Sequence, residues 1–309
     1  MRAAVIREYG AVPAVEIIAE PQEQDGTSRI RVIAAGLQPT DIMRSTGAYN
    51  PPALPYVIGG EGVGQTEDGT RVYFGHSIPG FGAIGEMTVV SDEEIWPIPD
   101  DVTADQAIAL AIAGTGALIP LQEANIQPAE AVLVLGATGP LGQIALQLAR
   151  ILGAGRVIAA ARSAQPLASL AQRGLADEIV QLGKGDDNAA LQSLGGYDVV
   201  LDCVFGPPAE AALRALSPGG RMMSIGVGAG MHVTLSLGEL VQKSIHGVGT
   251  GQRPVEERRA AFDKLIGWHR DGRLTVTIQR FTLDAIADAW QLQRRSPGGK
   301  IVISIMDDD

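Results

Sequence analysis

The stretch Val132–Arg150, VLVLGATGPLGQIALQLAR, decides the fold. An apolar run enters the glycines Gly136, Gly139 and Gly142, and apolar side chains then recur at Leu141, Ile144, Ala145, Leu148 and, just beyond, Leu152. The run reads as a buried strand and the later spacing as a helix, so the segment predicts strand, tight turn, helix. Glycine lets the turn adopt left-handed geometry and lets backbone approach a ligand, while Pro140 suits a first helical position, where its missing N–H would be unbonded anyway. The free N–H groups of such a helix start attract an anion, and a diphosphate is the expected guest. Gly136, Thr138, Gly139, Pro140, Leu141 and Gly142 are therefore the expected cofactor cradle.

The next strand, RVIAAAR over Arg156–Arg162, narrows the cofactor. Where an acid would grip the ribose 2′-hydroxyl of NAD stands Ala161, followed by Arg162. A cation there suits a 2′-phosphate, so NADPH is favoured over NADH, with Arg162 and Ser163 as its expected contacts.

The rest of the chain sets limits. Its 309 residues predict two domains. Hydrophobic residues make up 46% and aromatics 4%, with 39 glycines, which suits a turn-rich α/β protein packed on aliphatic side chains. A net charge of −11 argues against nucleic acid or an anionic membrane as a main partner. Cys203 is the only cysteine, which excludes an intrachain disulfide and a thiolate zinc cluster. The N-terminus, MRAAVIREYG, lacks a signal-peptide pattern, and the apolar segment Ala107–Leu121 is broken by Gly114, Thr115, Gly116 and Pro120, so a cytoplasmic protein is expected.

Before the glycine turn, short apolar or alternating runs (Ala3–Ile6, Arg29–Ala35, Gly60–Gln65, Arg71–Phe74, Ile84–Val90, Ile95–Ile98) predict a compact β domain, with Asp68-Gly69 as a hairpin signal. Thr103 caps a helix running to Ala113. From residue 131 strands alternate with helices: Val157–Ala161, Glu178–Leu182, Tyr197–Val204, Arg221–Gly226 and Ser244–Gly249 complete a set of six. That rhythm specifies a parallel sheet with right-handed crossovers. The tail, helix Val255–Arg270, strand Leu274–Phe281, helix Leu283–Gln293 and strand Lys300–Ile305, leaves the rhythm and is expected to return to the first domain.

Six motifs in this order resemble the medium-chain dehydrogenases/reductases, specifically their zinc-independent quinone oxidoreductase branch, over essentially the full length. They are AAGLQPTDIMRSTGAY (Ala34–Tyr49), PYVIGGEGVG (Pro55–Gly64), IPDDVTADQAIAL followed by Thr115, GATGPLG (Gly136–Gly142), LSPGGRMMSIG (Leu216–Gly226) and PGGKIVI. The resemblance implies an α/β architecture: a GroES-like, mainly β catalytic domain over 1–121 and 253–309, and a Rossmann NADPH-binding domain with a six-stranded parallel sheet over 122–252. It also implies a homodimer acting on a small-molecule substrate, pairing near Ser244–Gly249.

Zinc-dependent members of this family place a cysteine two residues after the glycine of the first motif and a histidine before the glutamate of the second; here those positions hold Gln38 and Gly60. The four-cysteine structural lobe is absent as well, and no pair of the four histidines has ligand spacing, so no metal is expected. Without a Lewis acid, charge developing on a substrate oxygen must be met by hydrogen bonds, which favours a quinone or the activated C=C bond of an enone, whose product anion is delocalised. By the resemblance, Gln38 takes the place of an asparagine facing substrate and Tyr49 that of a cleft tyrosine; these are the expected catalytic residues. Thr115 matches a threonine near the nicotinamide, Gly226 a strand end beside the cofactor, and Lys300 a cation facing the 2′-phosphate. Reduction of a carbonyl or imine on the same scaffold, or a non-catalytic NADPH-binding protein, are the alternatives.

Overall fold

The computed structural model describes residues 1–306 apart from positions 79 and 297, so Pro297 of the terminal motif and the closing aspartates lie outside the described residues. The chain begins with β1 (Arg2–Ile6), β2 (Ala14–Ile17), β3 (Thr27–Leu37), α1 (Pro39–Ser45), β4 (Tyr56–Val57), β5 (Glu61–Gln65), β6 (Arg71–Gly75), β7 (Met87–Ser91), β8 (Ile95–Pro97) and α2 (Ala104–Leu110). It continues with α3 (Ile112–Glu123), β9 (Ala131–Leu135), α4 (Pro140–Ile151), β10 (Arg156–Ala161), α5 (Ala164–Gln172), β11 (Glu178–Gln181), α6 (Asp187–Leu194), β12 (Tyr197–Asp202), α7 (Gly206–Ala215), β13 (Leu216–Ser224), α8 (Leu237–Leu240), β14 (Ser244–Gly247) and α9 (Val255–Arg270). It closes with β15 (Ile278–Thr282), α10 (Ile286–Arg294) and β16 (Lys300–Ser304).

These elements form two compact units, Met1–Ile112 with Val276–Asp309, and Ala113–Thr275. The boundaries thus fall at 112/113 and 275/276, where the motifs suggest 121/122 and 252/253. Packing explains the shift. A Cβ on Gly114 of α3 would stand 2.8 Å from Leu265 of α9, Arg253 pairs with Glu123, and Gln147 of α4 accepts the Thr275 N–H at 2.8 Å, so α3 and α9 belong to the second unit.

In the first unit the strands run β15-β16-β3-β5-β6-β8, with β7 also on β3, and a second sheet runs β2-β1-β4. Their inner faces enclose Ile6, Ile30, Leu37, Phe74 and, from α10, Trp290. The β5–β6 hairpin turns at Asp68-Gly69 as the sequence predicts: Gly69 has φ +85°, and Asp68 Oδ1 accepts the Thr70 N–H at 3.0 Å. The expected strand over Ile84–Val90 starts later, at Met87, because the preceding residues serve β1 instead: Ala4 donates to the Ile84 carbonyl at 2.8 Å, and Ala3 bridges to Gly85. Likewise β15 starts at Ile278 rather than Leu274, and β2 has no sequence signal of its own.

The second unit is built on six parallel strands in the order β11-β10-β9-β12-β13-β14. Numbered within the unit this is 3-2-1-4-5-6, the order of a dinucleotide-binding Rossmann fold, which reverses direction beside the first strand. β9 is buried along its whole length, as a strand covered by helices on both faces must be. The stretch Ala104–Glu123 is long and apolar enough to cross a membrane by length and composition, yet 83% of its apolar 18-residue window is buried inside the protein.

Candidate functional site

The second unit carries the glycine turn at the end of β9. Gly136 has φ +78°, a conformation that favours glycine, and the N–H groups of Gly136 and Ala137 donate to the Ala160 carbonyl of β10 at 2.9 and 3.1 Å. Gly139 is the N-cap of α4 and Pro140 its first residue. A Cβ on Gly142 would stand 2.5 Å from the Gly136 carbonyl and 2.6 Å from the Ala137 Cα, so only glycine lets the helix start fold this closely over the turn. The first-turn amides of α4, at Leu141 and Gly142, then remain open to an acceptor. Thr138 and Leu141 are partly exposed beside them. The turn thus presents open backbone N–H groups and a close helix start of the kind that suits a diphosphate.

Arg162 follows β10 directly. It is exposed, its carbonyl accepts from Gln181, and its guanidinium makes no hydrogen bond or ion pair among the described residues. Ser163, the N-cap of α5, does not use its side chain as a cap. Both stand where the sequence placed a 2′-phosphate contact. Thr115 is buried on α3. Gly226 lies just past β13, where a Cβ would meet the Cys203 carbonyl at 2.0 Å; close backbone approach is reason enough for that glycine. Asp202 at the end of β12 accepts from the Val204 and Phe205 N–H groups and the Ser224 hydroxyl at 3.0, 2.8 and 2.9 Å, and is spent on holding this turn. Burial, reinforced by Asp202, pushes the Cys203 thiol far up, so it packs as a neutral side chain.

The first unit carries a buried polar cluster. Glu61, 0% exposed, opens β5. Its Oε1 accepts from Gln38 Nε2 at 3.0 Å and from Lys300 Nζ at 2.5 Å, and its Oε2 from the Tyr73 hydroxyl at 2.9 Å and the Ile112 N–H at 3.4 Å. Sheet register builds this cluster: Gly36 pairs with Glu61 on one side of β3, and Leu37 with Ile301, next to Lys300, on the other. A Cβ on Gly36 would stand 2.8 Å from Glu61 Oε1, so the glycine of the first motif makes room for the carboxylate. Gln38 is the N-cap of α1; its N–H donates to Asp41 Oδ2 at 2.8 Å, and its Oε1 accepts from the Thr40 hydroxyl at 3.3 Å.

Lys300 corrects the expectation from the sequence. Rather than standing as an exposed cation for a 2′-phosphate, it is 5% exposed in the first unit with its ammonium committed to Glu61. The strand pairing that buries it lies far apart in sequence and leaves no local pattern. Glu61 and Tyr73 carry no local sequence signal for this cluster beyond the glycines that flank Glu61. Tyr49 sits in the loop after α1, 38% exposed. Gly60 and Gln38 stand together, a Cβ at 60 lying 4.0 Å from Gln38 Nε2, so the two positions where zinc-dependent members carry ligands converge here on an amide. Among the described residues no group of three or more His, Cys, Asp or Glu side chains could hold a metal ion.

Asp41, Arg44, Tyr56 and Ser77 line a small cavity beside α1, and the buried Arg44 Nε and Tyr56 hydroxyl have no hydrogen-bond partner among the described residues. Burial raises the Asp41 carboxyl to about 6, against the lowering by the Gln38 N–H, Lys300 and Arg44, with Glu61 adding to the rise. Because this value lies above that of the unfolded chain, Asp41 favours the folded state fully below pH ~4, and the contribution is lost as pH rises through about 6. The full shift corresponds to about 3 kcal/mol. Asp41→Asn should flatten the pH dependence of unfolding free energy between pH ~4 and ~6; urea titrations across that window check it, and an unchanged slope would remove Asp41 as its source.

Comparison with known proteins agrees with this architecture. Residues 140–267 match the family model described as zinc-binding dehydrogenase. The chain is 27% identical to quinone oxidoreductase-like protein 2 of Bos taurus, over 98% of its own length and 92% of that protein's. Among solved structures, the quinone oxidoreductase of Thermus thermophilus, determined also as a complex with NADPH, shares 28% identity at a TM-score of 0.82, covering 99% of this chain and 100% of that one. The Escherichia coli quinone oxidoreductase complexed with NADPH superposes at a TM-score of 0.89 and 22% identity over 99% and 100% of the two chains, a likeness of fold. With the strand order, the glycine turn and the ordered motifs, these matches support the medium-chain dehydrogenase/reductase superfamily, in its quinone oxidoreductase-like branch, as the family this chain resembles.

Proposed function

We propose that this chain is an NADPH-dependent oxidoreductase that reduces a quinone or the activated C=C bond of an enone-type substrate without a metal ion. The observation that carries the cofactor assignment is Arg162, a guanidinium one residue past β10 with no ion pair among the described residues, on the strand next to the glycine turn. The NADPH complexes of the Thermus and Escherichia relatives support the same reading. Bound there, NADPH would supply a hydride. The turn amides and the α4 N-terminus hold the diphosphate, Arg162 and Ser163 the 2′-phosphate, with Thr115 and Gly226 completing the contacts.

The chain's part in the chemistry is to stabilise the anion that hydride addition leaves on the substrate oxygen. Gln38, whose amide has one hydrogen left after its bond to Glu61, is the proposed donor, and Tyr49 the group that orients the carbonyl or relays a proton. Gln38 and Gly60 at the zinc-ligand positions support a metal-free site. The same reading carries a homodimer: among the described residues β14 pairs only with β13, and Leu237, Val241 and Ile245 on or just before it are 82%, 60% and 36% exposed.

Arg162→Ala tests the cofactor assignment. Loss of charge-assisted hydrogen bonds to a phosphate should raise the NADPH dissociation constant by about 10- to 100-fold while NADH changes by less than about two-fold. Equal losses for both nucleotides in fluorescence titrations would remove the 2′-phosphate role.

A further inference from the structure

Gln38 is a useful donor only if its amide keeps its nitrogen end toward substrate, and a glutamine side chain left to itself presents oxygen as readily as nitrogen. The first unit removes that freedom. One Nε2 hydrogen goes to Glu61 Oε1 at 3.0 Å, and the amide oxygen accepts from Thr40 at 3.3 Å. Turning the amide over would set its oxygen against the Glu61 carboxylate and break both bonds. Glu61 cannot yield, since it is fully buried and its other oxygen is held by Tyr73 and the Ile112 N–H.

An uncompensated carboxylate in that place would work against the reaction, because a buried negative charge opposes a second one forming nearby. Lys300 removes the conflict by donating to the same Oε1 that receives Gln38. We propose that Glu61 and Lys300 form a charge-balanced clamp that fixes Gln38 as an oxyanion donor, making both of them positioning residues. The proposal rests on the reading of Gln38 as that donor. It assigns Lys300 a use in the chemistry without contact with cofactor or substrate, and it gives the acid at position 61 a use in a site proposed to hold no metal.

The test is a cycle on kcat for NADPH oxidation by p-benzoquinone. Glu61→Gln alone would strand a buried ammonium, so the clamp is removed as the neutral pair Glu61→Gln/Lys300→Met and compared with Gln38→Ala and with the triple variant. The pair should lose about ten-fold or more in kcat and keep its NADPH affinity within about two-fold, and the triple variant should be no slower than Gln38→Ala alone. Independent losses that multiply in the triple variant, or an unimpaired pair, would overturn the clamp. If Gln38→Ala itself leaves kcat unchanged, the donor reading fails, and the clamp is then judged by the Gln38 side-chain NMR signals. Two resolved amide protons in the parent that shift or average in the paired variant support it; signals unchanged in the pair overturn it.

Discussion

Lys300→Met should destabilise the first unit by about 3–5 kcal/mol, the range for leaving one member of a buried ion pair without its partner. Lys300 and Glu61 are 5% and 0% exposed, so neither charge is relieved by water. Methionine fills a similar volume and cannot donate, which isolates the charge effect from a cavity effect. Adding Glu61→Gln removes the stranded carboxylate and should restore most of the loss, since replacing both members of a buried pair is far cheaper than removing one. Urea unfolding measured for the parent, the single variant and the double variant checks both statements. A single variant as stable as the parent would mean that the ammonium is not compensating Glu61.

Gln38→Ala carries the second large effect. Removing one donor aimed at a developing oxyanion costs about 100- to 1000-fold in kcat in well-studied sites, and the same order is expected here with NADPH affinity little changed. Alanine also removes the bond to Glu61 Oε1, but Lys300 still donates to that oxygen, so the carboxylate is not left bare. A rise in KM with unchanged kcat would instead make Gln38 a binding group with no share in transition-state stabilisation.

The second unit was largely legible because its signals are local. Four apolar residues, a glycine turn and a helical period within Val132–Arg150 already specify strand, turn and helix, and the alternation that follows specifies a parallel sheet. Each glycine there answers a nearby demand: a left-handed φ at Gly136, a 2.5 Å approach at Gly142. Arg162 was readable for the same reason, since its place is fixed by counting from the turn.

The first unit was legible as a set of short strands and as motifs, and illegible as a site. Gln38, Glu61 and Lys300 meet only because β3 pairs with β5 on one side and with the last strand, β16, on the other, and Tyr73 joins them from β6, the hairpin partner of β5. Antiparallel pairing between segments more than two hundred residues apart has no signature in either segment. Read along the chain, Lys300 is a cation near a surface turn; in the sheet it is the counter-charge of a buried acid. The early start of the expected strand at Ile84 has a similar cause, since Ile84 and Gly85 look like strand residues and do make strand-type contacts, though with β1.

The most direct measurement is consumption of NADPH and of NADH by the intact protein, followed at the nicotinamide absorbance, with a panel of simple quinones and enones as acceptors. Turnover of at least one acceptor class with NADPH, and a much lower kcat/KM with NADH, is expected. Tight NADPH binding with no turnover of any acceptor would contradict the assignment as a reductase and leave a nucleotide-binding protein in its place.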